Sequence, residues 1–196
     1  MADIIKQNKG LENDARKIVF AGHHVITKGV FELIKACRQI PNIKLKMLGF
    51  VSDEMRLALQ NQAGEGWEKW LEIAGEQSFG TTIKEMMSAG VFVLPTYTEG
   101  FPNVIIESMA CGCPIVTTDV GAIPEMLDIE HGFNNGICVK PKDVVGLKNA
   151  IEMMLNDRDY ALQCGRNAQL RVQEQYAMPV VWNQLTSIWT SLVMRK

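Results

Sequence analysis

Residues 91–116 read VFVLPTYTEGFPNVIIESMACGCPIV. Val91–Pro95 is a short, wholly apolar run, the pattern of a strand buried on both faces. Pro102–Cys111 reads as a helix, with proline in its first turn, where a missing N–H costs nothing, and it stops at Gly112. Residues 114–119, PIVTTD, form the next strand. Strand, loop, helix and strand in succession, with apolar rather than alternating strands, signal a parallel sheet covered on both sides. The stretch also poses a chemical question. Glu99 stands just ahead of the helix, and Glu107 falls within it among Val104, Ile105, Ile106 and Met109.

The same alternation extends outward in both directions. KIVFAG (17–22), KLKMLGF (44–50), WLEIAG (70–75) and GICVK (136–140) read as strands. Between them GVFELIKACRQI carries Val30, Ile34 and Cys37 on one helical face and breaks at Pro41 and Asn42. Residues 53–66 are polar and helical, and a short helix spans about Thr82–Ser88. The segment GAIPEML is turn-rich. A helix over 143–157 follows Pro141, and two more cover about 158–175 and 179–193. The expected fold is a Rossmann-like doubly wound sheet with added C-terminal helices, in one domain over residues 1–196. In such sheets ligands bind outside the carboxyl ends of the strands, here the loops after residues 22, 49, 75, 95 and 119.

Composition narrows the function. The 196 residues are 47% hydrophobic with a net charge of −2. A chain of this size can bury roughly 70% of its unfolded surface. The charge balance and the lack of a basic run argue against nucleic acid as a partner. Five cysteines, an odd number without a CxxC pair, fit reduced thiols in a cytoplasmic protein and no metal site. The opening MADIIKQNKG lacks the apolar core of a signal peptide, and the chain is expected to be soluble.

Two constellations can carry chemistry. A helix beginning at Pro102 offers free N–H groups and a partial positive charge to an anion such as phosphate. Gly100 lets backbone approach a ligand, Asn103 can donate from its side chain, and Glu99 can accept from hydroxyls nearby. Glu107 shares a helical face with Asn103, and a carboxylate there suits a vicinal diol such as a ribose. The bland alternative makes Glu99 a cap and Glu107 a solvated or ion-paired residue. Against it stands the cost of burying an unpaired carboxylate among apolar neighbours. The second constellation is AGHHVITKGV, after the first strand. Lys28 lies at a helix start, where the dipole disfavours a cation unless an anion is bound. Solvation alone is the competing reading for Lys28. His23 can donate to phosphate or serve as a loop histidine, and His24 reads as a satisfied loop histidine.

These segments, from G-x-x-x-x-x-K-G through VLPTYTEGFPNVIIESMACGCPIV to DVGAIPEML, resemble the C-terminal, donor-binding domain of the retaining glycosyltransferases of group 1, which have the two-domain GT-B architecture. The likeness runs from Lys17 to the last helix, and its most specific part is the E-x7-E pattern of Glu99 and Glu107. It implies a nucleotide-diphospho-sugar donor (UDP- or GDP-sugar), with no further cofactor and no metal, and transfer of a hexose with retention. Carried over, Glu99 would contact sugar hydroxyls and Glu107 the ribose diol. Gly100, Phe101, Pro102, Asn103 and Val104 would meet sugar and diphosphate, and Lys28 would bind diphosphate in a catalytic role beside Glu99. The loop 74–85 would meet the base. His23 stands where the family usually has arginine, which supplies more donors and more charge, so this departure bears on diphosphate affinity and its pH dependence. Gly90 replaces a common aspartate and reads as structural.

The resemblance also implies an absent N-terminal acceptor domain, an isolated domain without activity, and polysaccharide biosynthesis as the setting. Peripheral membrane association of the whole enzyme belongs to the same expectation. Trp182, Leu185 and Trp189 share a face of the last helix, in a region that in the family returns toward the absent domain. Part of that surface is expected to be exposed and to promote homo-oligomers of this chain. Two other readings remain: a non-catalytic nucleotide-sugar-binding or regulatory module, and a sugar-nucleotide epimerase sharing the architecture.

Overall fold

The computed structural model describes residues 1–8, 10–132 and 134–194. Six parallel strands form one sheet: β1 (Asp14–Ala21), β2 (Lys44–Leu48), β3 (Leu71–Gly75), β4 (Ala89–Leu94), β5 (Ile115–Thr118) and β6 (Ile137–Val139). Their spatial order is β3-β2-β1-β4-β5-β6. The sequence alternation therefore becomes the doubly wound, Rossmann-like sheet it predicts. Parallel neighbours need crossovers, and right-handed crossovers place successive helices on opposite faces once the order reverses. That reversal lies between β1 and β4, which open a crevice at their carboxyl ends.

The helices are α1 (Ala2–Gln7), α2 (Val30–Cys37), α3 (Asp53–Ala63), α4 (Phe79–Met87), α5 (Asn103–Ala110), α6 (Ile123–Met126), α7 (Val144–Asn156), α8 (Arg158–Arg171) and α9 (Met178–Val193). On one side α2 packs between α3 and α7; on the other α4 packs on α5, which meets α8. The core lies between these layers and the sheet. All six residues of β4 are buried, as a central strand covered on both faces requires. On α2, Val30, Leu33, Ile34 and Cys37 are turned inward.

Several boundaries differ from the sequence reading for identifiable reasons. β1 starts at Asp14, because Asp14 pairs with Ala89 although its neighbours Ala15 and Arg16 have no strand pattern. The β1–β4 register shifts between Asp14 and Ile18. Gly90 fits this irregularity: a Cβ there would stand 2.3 Å from the Ala15 carbonyl oxygen. α4 begins at Phe79, three residues early, because Ser78 caps it by accepting from the Thr81 N–H at 3.1 Å. GAIPEML contains the single helical turn α6, with Pro124 at its start. The helix read over 158–175 ends at Arg171 and passes into a π-helical segment, Val172–Tyr176.

Candidate functional site

The loops after β1 to β5 are pinned to one another by backbone. The Gly22 N–H donates to the Leu48 carbonyl at 2.9 Å. Gly49, with φ of +123°, lies so close to Gly22 that a Cβ would come within 2.1 Å of the Gly22 carbonyl oxygen. His24 completes this clamp. It is only 2% exposed, and its N–H and its imidazole Nδ1 approach the Phe50 carbonyl at 2.8 and 3.0 Å. A carbonyl only accepts, so Nδ1 carries the proton. Burial lowers the His24 pKa. The loop after β1 is tied to that after β4 by Tyr97 N–H and Thr96 Oγ1, both donating to the Thr27 carbonyl, at 2.7 and 3.1 Å. Gly29, with φ of +68°, allows the close approach, since a Cβ would stand 1.9 Å from the Pro95 carbonyl oxygen. The loop after β5 follows, with Ala122 N–H donating to the Gly100 carbonyl at 3.0 Å.

The loops after β1, β2, β3 and β4, with the first turns of α5, border a cleft of about 780 Å³ at the carboxyl ends of the strands, and the loop after β5, expected from sequence to contribute, does not line it. Of the residues singled out from sequence, His23, Lys28, Glu99, Pro102, Asn103, Val104 and Glu107 all line it. Gly100 and Phe101 do not: Gly100 points its carbonyl at Ala122, and the exposed Phe101 ring lies edge-on to Tyr176 at 5.9 Å. Sequence reasoning located the loops after β2 and β3 but missed their side chains in the cleft, notably Phe50, Glu76 and Phe79. No spacing or motif in the sequence sets these loop residues apart from other Phe and Glu residues of the chain.

The electrostatics are specific. Lys28 Nζ forms an ion pair with Glu99 Oε1. No side chain caps α5; the Ile105 N–H donates to the Pro102 carbonyl at 3.0 Å, which leaves the amides of Asn103 and Val104 available to an anion. Glu107 is half-buried, and burial alone pushes its pKa up; among the described residues no cation or donor compensates it. That distinguishes it from Glu99. The arrangement offers an anion the lysine and the helix amides, and offers hydroxyl groups two carboxylates.

A second cavity, of about 500 Å³, opens at the amino ends of the strands. Its central charges are spent on each other: Lys17 with Glu85 at 2.5 Å, and Lys46 with Glu85 and Glu72 at 3.0 Å each. Its other charged residues, Glu12, Asp14, Lys44, Glu68 and Lys69, are exposed to solvent, unlike the half-buried Glu107. Among the described residues no cluster of three metal-ligating side chains occurs, and no helix is long and apolar enough to cross a membrane.

Comparison with known proteins adds a family. The profile of "Glycosyl transferases group 1" matches residues 1–171. The capsular polysaccharide biosynthesis glycosyltransferase CapM of Staphylococcus aureus is 30% identical over 192 residues, covering 93% of this chain and 48% of that protein. The putative teichuronic acid biosynthesis glycosyltransferase TuaC of Bacillus subtilis is 28% identical over 172 residues, covering 88% and 41%. The chain thus spans about half the length of the curated relatives it matches. Among solved structures, sucrose-phosphate synthase from Thermosynechococcus elongatus superposes with a TM-score of 0.80 at 27% identity, over 100% of this chain and 50% of that one. HepE of Anabaena, solved with UDP and glucose, gives 0.80 at 24% identity over 97% and 52%, a likeness of fold. On the match of sequence across nearly its whole length, the chain belongs to the group 1 glycosyltransferases.

Proposed function

We propose that this chain is the donor-binding half of a cytoplasmic, retaining glycosyltransferase that moves a hexose from a nucleotide diphosphate to an acceptor held by a preceding domain. The observation that carries this reading is Glu107: a half-buried carboxylate without a compensating cation, one turn along the helix whose open amides face the same cleft. A ribose diol donating to it would replace the water lost on burial. Lys28 and the α5 amides would hold the diphosphate and stabilise the charge that builds on it as the anomeric C–O bond breaks. Glu99 would then give up Lys28 and accept from sugar hydroxyls. Phe50 and Phe79 offer apolar surface at the far end of the cleft, toward the loop proposed to meet the base. This half alone would bind donor without turning it over, because the acceptor would be held by the preceding domain. No nucleic acid enters this scheme, and membrane contact would belong to the whole enzyme.

The test is calorimetric titration of UDP, GDP and ADP, with and without sugar; UDP comes first because the HepE structure holds it. Glu107→Ala is expected to weaken nucleotide binding by ~2–4 kcal/mol through loss of two charge-assisted hydrogen bonds. Equal affinity in the two proteins would refute the ribose role.

A further inference from the structure

The cleft is short of positive charge for the ligand assigned to it. Its walls carry Lys28 against Glu76, Glu99 and Glu107, and Lys28 is already engaged by Glu99. Bringing an anionic diphosphate into a space of net negative charge is unfavourable at contact distances, and the partial charge of the α5 amides offsets only part of it. Among the described residues of these walls, the one other group that can become cationic is His23.

His23 is placed by its surroundings. It directly follows Gly22, the residue clamped to Leu48 and Gly49, and precedes His24, which is clamped to Phe50. Its ring stands edge-on to Phe50 at 6.1 Å and is exposed at the cleft wall. The charged groups that line the same cleft come from every element bordering it: Lys28 on the following turn, Glu76 after β3, Glu99 after β4 and Glu107 on α5. Arg56 of α3 is near enough to act on His24; it donates to the Ile73 carbonyl at 2.7 Å, keeps its charge and does not line the cleft. His24, neutral and buried under the loop, does not line the cleft.

We infer that this chain takes up a proton on His23 when its diphospho-sugar donor binds. The inference rests on the donor-site reading above and deepens it. A neighbouring anion favours the imidazolium, so the bound state holds more protons than the free state. Affinity is therefore greatest on the acid side of the imidazole titration and is lost as pH rises, by at most about tenfold per pH unit for one proton. Glu107 works with the opposite sign. Its carboxylate must be ionised to accept from the ribose, so it weakens binding only as pH falls.

The experiment is titration calorimetry from pH 6 to pH 8 in paired buffers of different ionisation heat. UDP-glucose is the first ligand, followed by GDP- and ADP-glucose; their diphosphate is esterified at both ends and does not titrate near neutrality. Wild-type Kd is expected to rise about tenfold across this range, with a binding heat that depends on buffer. His23→Arg should bind at pH 8 as it does at pH 6 with no buffer dependence, and His23→Gln should bind weakly and without pH dependence. A wild-type affinity that does not change with pH overturns the inference while leaving the donor site standing. Persistent pH dependence in His23→Arg overturns the assignment to His23. No binding of any of the three ligands by wild type and His23→Arg overturns the donor-site reading itself, and this inference with it.

Discussion

Glu99 and Glu107 stand eight positions apart in sequence, yet they differ in state. Glu99 is held by Lys28, and Glu107 has no partner among the described residues. If Glu99 serves the sugar, Glu99→Ala should weaken a nucleotide sugar by about 1–3 kcal/mol, while free UDP, which competes with Glu99 for Lys28, should bind no worse. Titration of both ligands decides it; equal losses would detach Glu99 from the sugar. His24 gives a pH test of stability. Burial lowers its pKa below the ordinary 6.5, so the unfolded chain takes the proton more readily. Its contribution is complete above pH 6.5 and is lost as the medium is acidified through the range below it. His24→Asn keeps a donor for the Phe50 carbonyl but cannot titrate. Urea midpoints at pH 7.5 and pH 5 should diverge less in this variant than in wild type. Residue identities were legible where a side chain opposed its setting, such as a carboxylate in an apolar helix or a cation at a helix start. The clamp made by His24 was not legible, because a buried loop histidine and a solvated one look alike in a sequence.

At the scale of elements, the strands were readable because a fully covered parallel sheet leaves a continuous apolar run, as in β4, while the ends of elements were set by contacts remote in sequence. β1 gained its first turn of pairing from Ala89, and α4 its start from the Ser78 hydroxyl. The meeting of Gly22 and Gly49 is likewise a tertiary fact. Gly49→Ala would place a methyl against the Gly22 carbonyl at a positive φ, and is expected to cost about 3 kcal/mol or more, read as a lower urea midpoint. The last helix behaves differently. α9 has no buried residue, and Trp182 and Trp189, more than half exposed, stack edge-on at 6.3 Å with Leu185 between them. Such a face seeks cover. At high concentration this chain should self-associate in light scattering. A triple variant, Trp182→Gln, Leu185→Gln and Trp189→Gln, should remain monomeric; a monomeric wild type would count against an adhesive face.

Taken whole, the molecule buries three of its thiols, Cys37, Cys113 and Cys164, and partly covers Cys111 and Cys138. Burial pushes Cys111, Cys113 and Cys138 up to about 12, and raises Cys37 and Cys164 as well. Since the thiolate is the reactive form, Ellman's reagent at pH 8 should modify the native protein far more slowly than the urea-unfolded one, which releases all five. Rapid native modification would place a thiol in a more polar setting than the one described. The architecture and the crevice position followed from alternation and strand polarity alone; the charge shortage inside the crevice did not, because it depends on which charged groups the separate loops around it bring together. Those loops are unequal in one further respect. The segments after β1 and β2 are locked to each other through glycine backbone, whereas Glu76 and Gln77, after β3, are exposed, and among the described residues the Gln77 side chain bonds only to the Ala74 carbonyl three residues back. Randomised libraries aimed at new base preference can therefore diversify residues 76, 77 and 79 while keeping the Ser78 cap, whereas the same diversity at 49 would mostly yield proteins that never fold.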